Sequence, residues 1–180
     1  MLYMEAAVIA NVHERTLPPG ADPGALLDRL ATPGDPLWPV DAWPAMYFDR
    51  PLGVGARGGH GPIHYDVDGY LPGRWVRFRF TAPRGFDGYH EYRVLDGPDG
   101  APILRNTLVM HTSGPARLTW PLAYRPLHDA LLEDSMARAT GEDPPRWSHW
   151  VRLLRALAGG RNVAAPPVTG SATAPSAPAP

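Results

Sequence analysis

The chain has no cysteine and no lysine in its 180 residues; all 17 basic side chains are arginine. Without cysteine there can be no disulfide frame, thiolate nucleophile or zinc–thiolate site. A reducing compartment fits this usage, and a cytoplasmic location is the expectation. Without lysine, Schiff-base chemistry and a P-loop lysine are excluded. The arginine-only pattern, with 19 glycines and 23 prolines, reads as a bias toward GC-rich codons. Net charge is scarce too: a formal value of −1 provides no field to gather nucleic acid or an anionic membrane. No run approaches the roughly 18 apolar residues of a transmembrane helix. The opening twenty residues lack the basic start and unbroken apolar run of a signal peptide.

What is present belongs to a globular α+β chain. Hydrophobic residues make up 44% and aromatics 9%, enough to build a core. Val8, Ile9 and Val12 mark a first strand over residues 5–16, closed by Pro18-Pro19-Gly20. Asp22 then has the chemistry of a helix N-cap, with Pro23 at the first helical position. That helix stops at Thr32-Pro33-Gly34, and a link over 36–44 carries Trp38 and Trp43.

Strands are predicted over 46–49, 63–70, 74–81, 89–96 and 103–112, with a glycine-rich turn after the first of them. Their spacing without intervening helices predicts an antiparallel meander. Alternation assigns the faces. One face gathers Ile63, Tyr65, Val67, Val76, Phe78, Phe80, His90, Tyr92, Val94, Leu104, Asn106, Leu108 and Met110. The other carries Asp66, Asp68, Arg77, Arg79, Glu91, Arg93, Arg105 and Thr107, a solvated mixture of charges.

After Gly114-Pro115 the period changes to about 3.6. Trp120, Tyr124, Leu127, His128, Leu131, Ser135 and Ala139 share one stripe of a long helix, made irregular near Pro121 and Pro126. A second amphipathic helix is predicted over 144–158, with Trp147, Trp150, Val151, Leu154 and Leu157 on its apolar side. Residues 159–180 read as a disordered Ala/Pro-rich tail. The main domain is therefore 1–140, and nothing in the sequence signals an oligomeric state.

Several constellations can be weighed on chemistry alone. Gly53-Val54-Gly55-Ala56-Arg57-Gly58 spells GxGxxG, but strand-like residues follow where a dinucleotide site needs a helix. His60 and His64 would stand about 13 Å apart on an extended strand, too far to share a metal. Glu133 and Asp134 diverge by roughly 100° on a helix and read as solvated. His90, Tyr92, Asn106 and Tyr65 are more telling, because they are polar groups on the apolar face. Either they satisfy one another or a buried water, or they orient a ligand in a cavity. His128, on the inward helical stripe, could complete the set.

The order of elements, and the segments PLGVGARG, GYLPGRWVRFRF, GYHEYRV and PLHDALLEDSMARA, resemble the START-like, or SRPBCC, superfamily. The likeness is to polyketide cyclase/dehydrase-like proteins of actinobacterial type and covers residues 5–140. It implies a helix-grip fold, a curved antiparallel β-sheet wrapped around a long C-terminal helix. The 144–158 segment departs from the usual ending. The superfamily hosts binders, carriers and enzymes, so the resemblance implies a cavity rather than one reaction. The expected occupant is a small hydrophobic molecule, held by Trp38, His60, Tyr65, Phe78, Phe80, Tyr92, Asn106, Met110 and Tyr124. No metal, cofactor or nucleic acid is expected. Two alternatives stay open: a polyketide cyclase- or aromatase-like enzyme in which His90 or His128 moves protons, and an adaptor acting through the 144–158 helix.

Overall fold

The computed structural model describes residues 8–158. The proposed tail and the first residues of the predicted first strand lie outside the described residues. Seven strands, β1 (Ile9–Thr16), β2 (Tyr47–Phe48), β3 (Arg57–His60), β4 (Ile63–Leu71), β5 (Trp75–Ala82), β6 (Phe86–Asp96) and β7 (Pro102–Thr112), form one antiparallel sheet. Its order is β1-β7-β6-β5-β4-β3-β2. Helix α1 (Pro23–Asp28) follows β1. Helix α2 (Ala116–Thr119) runs through a wide turn at Trp120–Tyr124 into α3 (Arg125–Thr140), and α4 (His149–Leu157) ends the described chain. The sheet is curved and the 116–140 rod is its long C-terminal helix.

Alternation sorts the faces as read from the sequence. Val76 and Phe78 of β5 are fully buried while Arg77 and Arg79 face outward, so burial of roughly 25 cal/mol per Å² of apolar surface fixes the register. The outer face is less bland than its charges suggest. Glu91 is buried, accepting from Trp75 Nε1 at 2.9 Å and pairing with Arg77 at 2.9 Å and Arg93 at 3.3 Å. The Arg77 guanidinium also lies 4.2 Å from the Tyr89 ring centroid.

The glycine-rich turn is a correction. Its second half is strand β3, which joins the short β2 to the meander. A β-carbon on Gly58 would stand 2.0 Å from Tyr47 O, and one on Gly59 only 2.2 Å from Ile63 O. Only glycine lets the three strands approach so closely, yet glycine is what lowers the strand signal in the sequence. The GxGxxG text therefore runs from a turn into a strand.

The Trp-rich link is core. Asp35 accepts from the backbone N–H of Leu37 and of Trp38, both at 2.8 Å, and from Ala31 N at 2.7 Å. Trp38 Nε1 donates to Pro44 O at 2.9 Å, and Ser135 of α3 donates to Leu37 O at 3.1 Å. These bonds satisfy a buried backbone that has no sheet partners. Asp22 caps α1 as its type predicts, accepting from Ala25 N. Helix α4 starts at His149 with Ser148 as N-cap, whereas periodicity alone carries its start back to Arg146.

Candidate ligand cavity and its polar seam

Between the sheet and the long helix lies a cavity of about 170 Å³. The sheet contributes Phe80, His90, Tyr92 and Leu108, and the helical rod contributes Trp120, Tyr124, Leu127, His128 and Leu131. Trp38, Trp43 and His60 supply another wall, with Arg155 of α4 and Ala158, the residue that ends it. Of the residues singled out in the sequence, Trp38, His60, Phe80, His90, Tyr92, Tyr124 and His128 line it. Tyr65, Phe78, Asn106 and Met110 are buried outside the lining.

Those four shape the wall from behind. Phe78 stacks on His90 at 4.9 Å between centroids, and Tyr65 meets the same imidazole edge-on at 5.2 Å. Phe80 lies at 5.3 Å from it. The sheet register sets His13 of β1, Asn106 of β7 and Tyr92 of β6 side by side in one cross-strand row. Polarity is concentrated here without partners. His90 Nε2, Tyr92 Oη, Tyr65 Oη and both amide atoms of Asn106 are buried and meet no hydrogen-bond partner among the described residues. Each such group carries a desolvation penalty of about 1–3 kcal/mol.

Burial sets the electrostatics. It pushes His60 down to about 3, with smaller contributions from its neighbours His128 and His64. It holds His90 well below its ordinary value and lowers His128, the latter opposed by Asp129. Three imidazoles in one cavity are thus held neutral at physiological pH. Burial likewise raises Tyr65 and Tyr92, so both phenols keep their protons. His64 is exposed and pairs in register with Gly59, while His60 pairs with Ile63, so successive positions send the two rings to opposite faces.

Helix α4 closes one end. Trp43 Nε1 and Trp147 Nε1 donate to the same Asp134 oxygen, at 2.7 and 2.9 Å. The Arg155 guanidinium stands 4.7 Å from the Trp43 ring and 4.2 Å from that of Trp147, and it donates to Ala42 O. Asp134, read from the sequence as solvated, is 4% exposed. No local pattern announces this group, whose members lie on the link (Trp43), on α3 (Asp134), just before α4 (Trp147) and on α4 (Arg155).

A second polar group joins β1 to α3. Asn11, His13 and Arg15 alternate on the inward side of β1 and face Asp129 and Glu133, one turn apart on α3. His13 Nδ1 is 3.0 Å from Glu133 Oε1, and its Nε2 is 3.2 Å from Asp129 Oδ1. Hydrogen bonding to Asp129 raises His13, against burial and with help from Glu133. The sequence held a usable signal here: a polar period-two strand face matched by an i, i+4 carboxylate pair.

No family model matches the chain, and no curated protein matches it. Solved structures do. CalU16 from Micromonospora echinospora superposes with a TM-score of 0.51 at 16% identity, covering 85% of this chain and 94% of that one. A conserved protein of unknown function from Enterococcus faecalis gives 0.54 at 14% identity, over 86% and 84% of the two chains. A protein from Thermobifida fusca gives 0.51 at 13% identity, over 79% and 99%. Identities this low speak to fold, and on fold they agree with the topology above: a curved antiparallel sheet against a long C-terminal helix, the helix-grip fold.

Proposed function

We propose that the chain binds a small, mostly apolar molecule that carries at least one hydrogen-bonding group. One observation carries the reading: a wall of aromatic and aliphatic side chains holds buried polar atoms, His90 Nε2 and Tyr92 Oη, that meet no hydrogen-bond partner by distance and angle among the described residues. A plain core would use aliphatic groups there, because unpaired polar atoms destabilise it. The volume is close to the ~150 Å³ apolar cavity that admits benzene, so the occupant is of one- or two-ring size. Neutral imidazoles and protonated phenols favour an uncharged guest.

Naphthalene and 2-naphthol are a matched pair of uncharged probes, measured by isothermal titration calorimetry. Both should bind, and the hydroxyl should tighten binding by about tenfold, a net hydrogen bond of roughly 1.4 kcal/mol. Failure of both to bind would sink the proposal; equal affinity would remove its polar half.

A cyclase- or aromatase-like enzyme is the second reading, favoured by His90 being neutral with an unpartnered ring nitrogen. A neutral imidazole is the form that accepts a proton. Single-turnover assays on reactive polyketide-like aromatics separate the readings. An enzyme should lose about 10²–10⁴-fold in rate on His90→Phe while keeping affinity for the substrate's apolar body.

A further inference from the structure

We infer that His13, His128 and Asp129 form a binding site for a divalent transition-metal ion of the zinc type at the seam between β1 and α3. One ligand atom from each of the three residues lies within 4.8 Å of the other two. Asp129 Oδ1 stands 3.2 Å from His13 Nε2 and 3.7 Å from His128 Nδ1. Two donors each about 2.0–2.1 Å from a tetrahedral ion stand about 3.3–3.4 Å apart, so these separations need little adjustment. His128 Nδ1 is buried without a hydrogen-bond partner among the described residues, since 3.7 Å to Asp129 exceeds hydrogen-bond reach. It is a ring nitrogen beside the cluster, whose near neighbour Asp129 is itself one of the three ligands.

The surroundings supply what such a centre requires. A ligating histidine usually gives its other ring nitrogen to a carboxylate, which fixes tautomer and orientation. Glu133 Oε1 stands 3.0 Å from His13 Nδ1, and Arg15 in turn donates to Glu133 Oε2 at 2.7 Å. Asn11 Nδ2 donates to Asp129 Oδ1 at 3.0 Å and orients that carboxylate. Arg125 approaches its other oxygen, Oδ2, at 3.7 Å, so Oδ1 is the oxygen presented to the ion. Two imidazoles and one carboxylate are borderline donors that suit zinc, with cobalt and nickel as substitutes. Three protein ligands leave a fourth position for water or an added donor. Asp129, with 36% of its side chain exposed, gives the ion a path from solvent.

The test titrates the chelator-treated full chain with Zn²⁺ against a chromophoric zinc indicator, and with Co²⁺ as a spectroscopic probe. One ion per chain is expected, with the visible absorption of low-coordinate cobalt and a zinc-dependent rise in Tm. His13→Ala and Asp129→Asn should each abolish stoichiometric binding. Glu133→Gln should weaken it about 10–100-fold, and His64→Ala with His149→Ala should leave it unchanged. Should His13→Ala fail to fold by its melting curve, Asp129→Asn decides, because the amide oxygen keeps the bond from Asn11. Absence of one-to-one binding, or binding unmoved by Asp129→Asn, overturns the assignment.

Discussion

Trp150 of α4 donates its indole N–H to the carbonyl of Leu122 at 2.8 Å, the carbonyl whose regular helical partner would be the missing N–H of Pro126. Proline cannot supply that bond, and the wide turn at Trp120–Tyr124 is where the rod accommodates it. Trp150→Phe keeps an aromatic ring and removes the donor, so it should cost about 1 kcal/mol in urea unfolding. In a Pro126→Ala background, which restores the N–H, the same substitution should cost less. A double-mutant cycle measures the difference, and additivity would show that the two residues are not coupled.

Asp134 receives two indole donors on one oxygen, so Asp134→Ala strands two buried N–H groups. The expected loss is roughly 3 kcal/mol, from bonds to a charged acceptor worth about 1.5–3 kcal/mol each, partly recovered by relaxation. Melting curves give the loss, and intrinsic tryptophan fluorescence reports the changed surroundings of Trp43 and Trp147. A loss under 1 kcal/mol would mean that the pair finds water instead.

Removing residues 144–158 takes away Trp147, the buried Val151 and Arg155 together, and bares Trp43. A destabilisation of roughly 3 kcal/mol, or about 6–12 °C in Tm, should accompany weaker 2-naphthol binding. An adaptor helix would behave differently: deletion would leave Tm and naphthol affinity intact and abolish only association with a partner.

Leu127→Trp places a larger side chain in the wall of a 170 Å³ cavity. Binding of both naphthalene probes should fall by at least about tenfold, with a stability change within about 1–3 kcal/mol. Undiminished binding would place the probes elsewhere.

Stability should fall with acidification below neutrality. His60 and His90 have folded values far beneath the ~6.5 of the unfolded chain, so below that pH the unfolded state takes up protons the native state refuses. Their contribution is complete above about 6.5 and erodes by about 1.4 kcal/mol per pH unit per histidine as pH falls, down to about 3 for His60. Urea unfolding between pH 7.5 and 5 should show this slope, and His60→Phe should reduce it by one histidine's share. Carboxylate titrations common to both proteins cancel in that comparison, so an unchanged slope would refute the neutral, buried imidazole.

Much of the architecture was legible because its causes are local. Alternation along β4, β5, β6 and β7 fixed the inner face, since each strand buries one side. Asp22 before Pro23 announced α1, and Pro121 with Pro126 announced an irregular rod. Of the eleven side chains singled out, seven border the space between sheet and rod and four stand buried behind it.

What the sequence by itself determined, then, is whatever a window of a few residues can encode: element type, facing and caps. The tertiary structure alone decided the rest. Strand β3 exists because Gly58 and Gly59 admit neighbouring backbones, a property visible only once those backbones are in place. Asp134 is buried because two tryptophans from different segments converge on it, where the sequence offers only an acid beside another acid. His13 meets Asp129 and Glu133 across 116 and 120 positions of chain, brought together when the first strand pairs with the last beneath the long helix. Hydrophobic burial fixes that docking without reference to the polar groups it brings face to face, so the polar strand face and the i, i+4 carboxylates are each visible locally while their pairing is decided only by the tertiary structure.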